Sequence, residues 1–600
     1  MKKLHGEIER RGVPAVRLMA MAVAVALGSI GTAHAVDFNT GNPDLDIRWD
    51  NTIRYNIGQR VHSQSPSILN SPNYDDGDRN FGENSLITNR VDWITEFDLV
   101  FKKRYGFRVS GAGWYDQAYD SLDNTHVSSS NHIVNGRPAL GLPNYTDRYF
   151  HGPSGEILDA FAFGGWTIGD VDVNAKAGRY NVFWGEALLN PIHAISYGQS
   201  SLDIGKLLSV PGAQAKELFR PRPQVSAQVQ ATPTLSFAGQ YYLGWEQVHY
   251  PESGSYLAPN DAVLQGGQSL YINATQRVLR GQDVTPNQTG NWGLSARWTP
   301  DALNATLGLY YRDTSDIQPQ VMVLPAVAAL PATVCRALGD RPLGAACYIN
   351  PSAASISQIL QGNVGQYMAS YASNIDIYGF SFAKQILGVS VSADLNYRHN
   401  MPLVSIPVQV LPAALASKVP GAITALPDSG ETAGARGDTW HAVTDFAGVV
   451  PHTPVFDTAN YVVEFVWSRW DKVTQNAAAF EGASTYTGID KPTRNFYGTQ
   501  VNFTPTWFQV YPGVDLLMPM TYSMGLSGNS AVTFGGNKGN GNFSIGLGAD
   551  VHQRYRFDLK YNGFIGRIAT NSAGVVTSSA GLASLLRDRN YLDLTFQTTF

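Results

Sequence analysis

The strongest constraint in this 600-residue chain is an alternation of apolar and polar residues that recurs in pairs of segments joined by short turns. In residues 45–57 the odd positions Leu45, Ile47, Trp49, Ile53, Tyr55 and Ile57 are apolar, with Asn51 the exception. The even positions Asp46, Arg48, Asp50, Thr52, Arg54 and Asn56 are polar. Alternate residues of a strand point to opposite faces, so this segment is a strand with one greasy side. Strands that cross a bilayer at a tilt need about 9–11 residues, longer than the usual strand of a soluble sandwich.

The same pattern returns along the chain. Residues 91–101 pair with 107–116, 157–168 with 171–184, 225–231 with 235–248, and 292–299 with 303–313. Further on, 375–385 pair with 389–398 and 543–551 with 555–565, and weaker strands are expected at 437–448, 457–470, 495–511 and 514–524. Long polar or Gly/Pro/Ser-rich stretches separate the pairs, at 58–86, 117–155, 185–223, 249–289, 314–374 and 401–435. The last residues, 589–600, alternate again: Leu592, Leu594, Phe596 and Phe600 share one parity. A terminal strand ending on an aromatic residue resembles the signal read by the bacterial outer-membrane assembly machinery, although Thr598 departs from that pattern.

Short turns alternating with long loops are the layout of outer-membrane barrels, and the count is about 18 strands, with 16 the alternative. In hydrocarbon every backbone N–H and C=O must be paired, and a closed sheet is the strand arrangement that achieves this. Composition agrees. Charged residues are 15% of the chain, against about 25% in soluble domains. No run of ~18 apolar residues offers a transmembrane helix. The net charge of −5 argues against a nucleic-acid partner. The fold expected is therefore all-β, a transmembrane antiparallel barrel over residues 36–600. Trp49, Trp93, Trp245, Trp298 and Trp467 suit the aromatic girdles of such a wall.

Residues 1–35 read as a signal peptide. Lys2, Lys3 and Arg17 belong to a basic region, residues 18–30 are apolar, and Ala33-His34-Ala35 is a small-x-small cleavage pattern. In an exported chain the close pair Cys335 and Cys347 is expected to form a disulfide, since a metal site needs more ligands.

The most distinctive stretch runs from Gly178 to Pro223. It starts as a strand, breaks after Gly185-Glu186, and then suggests short helices at 200–208 and 214–219. It carries Arg179, Trp184, Glu186, Lys206, Lys216, Glu217, Arg220 and Arg222. Loops of wide barrels can fold inward, and residues 185–223 are read as a constriction or plug of the lumen, against an ordinary surface loop. Inward-facing charges of both signs are expected at Arg54, Asp92, Glu96, Asp98, Arg108, Arg179, Arg297, Arg312, Arg556 and Lys560, either paired across the wall or lining a selective path. The acidic run Asp75, Asp76 and Asp78 reads as a solvated turn or a contact for lipopolysaccharide cations, with a calcium site the alternative. No hydrolase elbow, zincin helix, P-loop or zinc quartet is present, so neither an enzyme nor a cofactor or metal site is expected.

Several motifs resemble those of the proteobacterial family of unknown function DUF1302. They are Asp75-Asp76-Gly77-Asp78-Arg79-Asn80-Phe81, Gly178-Arg179 with Trp184-Gly185-Glu186, Val210-Pro211-Gly212-Ala213 with Lys216-Glu217, and Tyr397-Arg398-His399-Asn400-Met401-Pro402. The resemblance implies an outer-membrane protein. It also implies company: an outer-membrane lipoprotein, an inner-membrane exporter of the resistance-nodulation-division type, and genes for breaking down sterols and aromatics. The function expected is passage or handling of hydrophobic or amphipathic small molecules. The alternatives are a general diffusion porin, a structural or docking barrel, and a lipid-acting barrel enzyme.

Overall fold

A computed structural model describes residues 36–600 apart from 39 and 264. The signal-peptide segment, 1–35, lies outside the described residues. Eighteen antiparallel strands form one sheet that closes on itself. They are β1 (Leu45–Arg60), β2 (Leu86–Phe101), β3 (Tyr105–Asp116), β4 (Ser154–Ile168), β5 (Val171–Tyr180) and β6 (Arg222–Thr232). Next come β7 (Leu235–Tyr242), β8 (Trp292–Trp298), β9 (Thr306–Thr314), β10 (Ile375–Ile386), β11 (Val389–Pro402) and β12 (Arg436–Val450). The ring is completed by β13 (Thr458–Gln475), β14 (Asn495–Tyr511), β15 (Val514–Leu517 and Met520–Ser527, parted at Pro519), β16 (Gly541–Val551), β17 (Tyr555–Ile565) and β18 (Tyr591–Thr599). Closure joins β18 to β1, from Thr52 opposite Thr599 to Arg60 opposite Tyr591. Asn51 and Phe600 then exchange both backbone bonds, at 2.7 and 2.8 Å.

Burial runs inside out. On β1 the polar Thr52, Arg54 and Asn56 are buried, while Trp49 on the other parity is 42% exposed. On β16 and β17 the outward Leu547, Phe557 and Leu559 are exposed, and Asp558 is buried. The largest fully buried side chains are eight arginines. A soluble sheet would pay heavily for both halves of this arrangement. A wall with lipid outside and polar matter inside requires it. Among the described residues no helix is long and apolar enough to cross a membrane. Trp49, Trp93 and Trp298 stand exposed on the outer wall. Trp245 does not join them: it lies in the connection after β7, bonded to the Asp316 carbonyl at 3.0 Å and packed on Tyr371.

Two strand ends fall short of the alternation in the sequence. β5 stops at Tyr180 and β7 at Tyr242, although Val182 and Trp184 continue the pattern after β5. These residues pack on Ile195 and Tyr310 inside the ring. The long connections are also more ordered than their composition suggests. Segments Ser269–Tyr271, Arg277–Arg280, Gln320–Pro325, Asn363–Ser370 and Val408–Gln409 form a second, five-stranded sheet. Cys335 and Cys347 are disulfide-bonded and fully buried in a small cluster with Ile349, Leu411 and Leu415.

Candidate functional site

The chain between β5 and β6, residues 181–221, turns into the ring. Its helical turns are Ile204–Ser209 and Ala215–Leu218, shorter than the sequence suggests, and Ser201–Leu202 pairs antiparallel with Phe219–Arg220. Asp203 caps the first turn by accepting the Lys206 N–H at 2.7 Å. Glu217 and Gln214 form a capping box on the second. Two glycines make the path sterically open. Gly185 has φ +91°, and a Cβ there would meet the Asp394 carboxylate at 2.3 Å. Gly212 has φ +76° and offers its carbonyl to Arg54 Nη1 at 3.0 Å.

Inward-facing residues of many strands hold this segment. On β1, Arg54 clasps Glu217 with two bonds of 2.9 and 2.8 Å, and Asp92 of β2 lies 3.4 Å away. Lys216 pairs with Glu96 of β2, and Lys206 with Glu156 of β4. Lys206 also sits 4.5 Å over the Trp114 ring. Arg220 joins Glu156 and Glu246, each at 2.6 Å. Arg222 donates to the Gly198 carbonyl at 2.6 Å and lies 4.1 Å over Tyr242. Glu186 binds Arg297 of β8 at 2.8 Å, and its N–H donates to Asp394 of β11 at 2.7 Å. Trp184 is buried against Ile195 and Tyr310.

Arg179 is placed differently. Register sets it beside Ala160 and Pro223, the row of the outward Val109, and its guanidinium reaches Glu246 at 3.4 Å. Two of the remaining wall charges pair locally: Arg108 with Asp98 at 2.7 Å and Arg556 with Asp558 at 2.8 Å.

Further wall residues fix the segment, among them Arg312, an expected inward charge, and Arg398 of the Tyr397–Pro402 motif. Arg312 donates to the Ile195 and Tyr197 carbonyls at 3.0 and 2.6 Å. Arg398 donates to the Ile192 and Ala194 carbonyls at 2.8 and 3.0 Å. Glu464 accepts the Leu189 N–H at 2.8 Å and stands opposite Asp445 in the register of β12 and β13. His193 and His441 share a buried Nδ1–Nδ1 contact of 2.7 Å. Each pair is set by register or by a chain crossing, which spacing does not encode. Burial, with Arg220 and Arg90 close by, brings the Lys206 ammonium down to about 7.

The acidic run is not a solvated turn. Asp75 takes Arg79 at 2.6 Å and the Ser129 hydroxyl at 2.7 Å. Asp78 takes Arg60 at 2.7 Å, with Arg589 at 3.6 Å. Asp76 accepts the Asn131 N–H at 2.8 Å and lends its own N–H to Asp261 at 2.9 Å. All three carboxylates are buried. The motif is a polar core that ties the β1–β2, β3–β4 and β7–β8 connections together. Burial first, then the facing carboxylates, raises Asp76 well above the ordinary range and Asp261 to about 7.

The protein family described as "Protein of unknown function (DUF1302)" matches residues 16–600. The chain belongs to that family. The inward segment and the acidic core therefore both fall within the DUF1302 match. No curated protein matches the chain. Solved structures similar to this DUF1302 member include Acinetobacter baumannii OccAB2, 9% identical with a TM-score of 0.38, covering 92% of this chain and 98% of that one. Pseudomonas aeruginosa OpdK, solved with vanillate, is 10% identical at TM-score 0.38 with the same coverage. Pseudomonas aeruginosa OccD3 is 11% identical at TM-score 0.35, covering 95% of this chain and 94% of that one. Likeness at this level says nothing of ligand or direction.

Proposed function

We propose that this DUF1302 protein is an outer-membrane channel that passes or handles hydrophobic or amphipathic small molecules, and that residues 181–221 set the width and lining of its path. The observation that supports the reading is where the inward charges go. Arg54, Glu96, Glu156, Arg297, Arg312 and Arg398 are spent on fixing one segment across the interior. A polar barrel whose interior served only as filler would have no need to hold one loop from so many strands. Lumen lining and constriction tune selectivity in such walls. A lipoprotein and an inner-membrane exporter of the resistance-nodulation-division type belong to the same proposal, and crosslinking in intact cells tests for them.

The experiment is single-channel recording of the purified barrel in planar bilayers. The reading expects conductance to rise when residues 187–216 are replaced by a short Gly/Ser linker. Conductance and uptake of apolar solutes that are indifferent to this replacement would overturn it.

A further inference from the structure

Six of the nine long connections meet above the inward segment and line a partly open cavity of about 390 Å³. Tyr250 comes from the β7–β8 connection, Val321 from β9–β10, Val404 from β11–β12, Glu481 from β13–β14, Phe534 from β15–β16 and Leu582 from β17–β18. Connections rooted around so much of the ring can meet only over its interior. Tyr250 also packs with Val248 against Leu202 and Ile204, so the wall of the cavity rests on the inward segment. The Tyr250 and Phe534 rings are 4.8 Å apart.

The lining is mostly aliphatic, prolyl and aromatic, and its neutral polar groups are largely committed elsewhere. The Tyr250 hydroxyl donates to Gln318. The Gln320 amide donates to the Leu403 and Ala435 carbonyls at 2.8 and 3.0 Å. Ser405 donates to the Leu403 carbonyl at 2.8 Å. The Thr533 hydroxyl and the Glu481 carboxyl are the exceptions, and the ionisable one is Glu481. Its N–H is bonded to the Val404 carbonyl at 3.1 Å, and among the described lining residues no Arg, Lys or His faces its carboxyl. Burial, with Asp490 nearby, raises that carboxyl to about 7. Small-molecule sites are apolar concavities of roughly 300–1,000 Å³ with a few placed polar groups. A carboxylate entering this one would lose its hydration and meet another acid with no cation to offset either.

We infer that this cavity is a receiving site for an uncharged, mainly apolar molecule bearing a hydroxyl, with Glu481 as its hydrogen-bond partner. The inference deepens the passage reading and rests on it for the ligand's onward path. It predicts selection against carboxylates of the same carbon skeleton. Val321 is the position at which to block the cavity, because its neighbour Met322 points into the core.

The test is equilibrium dialysis of the full mature barrel in amphipol at pH 7.5 with 2-naphthol and 2-naphthoate, which share a ring system and differ in charge. Naphthol should bind at least about tenfold more tightly than naphthoate. V321W should weaken naphthol at least about tenfold by filling the space. E481Q should hold naphthol within about threefold while narrowing its advantage over naphthoate. Heat-modifiable gel migration checks that each barrel is folded, and L582W replaces V321W if that variant does not assemble. Equal binding of the two probes, or naphthol binding unchanged by a folded cavity-filling variant, overturns the inference. If naphthol binds as stated while conductance ignores residues 181–221, the passage reading fails and the cavity stands. The opposite pair of results removes the cavity and leaves the passage.

Discussion

Replacing Glu217 by alanine is the sharpest perturbation of the inward segment. Both carboxylate oxygens bind Arg54, at 2.8 and 2.9 Å, and one of them also accepts the Gln214 N–H at 2.8 Å. E217A therefore strands a fully buried guanidinium and uncaps the Ala215–Leu218 turn. Removing one member of a buried pair costs about 3–5 kcal/mol. Asp92, 3.4 Å from Arg54, stays in place and favours the lower end. The charge belongs to the segment and not to the sheet, so the loss acts on docking. At about 3 kcal/mol the released fraction rises on the order of a hundredfold. Bilayer recordings should show higher or noisier conductance, and trypsin should cut at Lys216, which the wild type ties to Glu96. E217Q should fall between the two, because its amide can still accept the Gln214 N–H. E217A with wild-type conductance and wild-type resistance at Lys216 would refute the reasoning.

Three further outcomes follow from the same structure. Asp261 keeps a proton in the fold that an unfolded loop gives up near pH 4, so its contribution is present in acid and is lost as pH rises through about 7; protection of the Asp76 and Asn131 amides, corrected for the intrinsic exchange rate, should fall between about pH 4 and 7 and level off above. L309R places a cation on an outward position that is 63% exposed and should cost about 2–4 kcal/mol if that position lies near the bilayer midplane; the urea midpoint of the folded barrel in vesicles reads it. Reducing the Cys335–Cys347 bond should open residues 329–348 to protease while barrel migration on gels stays unchanged, because the bond closes a local loop outside the ring.

The wall was legible in the sequence because lipid imposes one rule on every strand. The period-two strips at 45–57 and 555–565, and the weaker strand expected at 495–511, correspond to β1, β17 and β14 to within three residues at each end. The rule lapses where a strand leaves the membrane. After Tyr180 and Tyr242 the alternation still reads as strand, but those side chains pack inside the ring or in a loop core. The acidic run was misread as solvated because its partners, Arg60, Ser129, Asn131, Asp261 and Arg589, come from other connections. The placement of Lys206, Lys216, Glu217, Arg220 and Arg222 followed composition. The opposed Asp445 and Glu464, and the His193–His441 contact, depend on register and on chain crossing, which no window of sequence contains. The second sheet was hidden for the same reason: its strands are short, and they come from three different connections.

The central claim is that the greasy parity of each strand faces hydrocarbon on a closed wall. Nitroxide labels placed singly along residues 555–565 of β17, in the barrel reconstituted into vesicles, test it by collision with oxygen and with a water-soluble nickel chelate. Positions 557 and 559 should favour oxygen, and 556, 558 and 560 should not, giving a period of two. Equal oxygen exposure on both parities, or oxygen exposure on the parity of Asp558 and Lys560, would contradict the account.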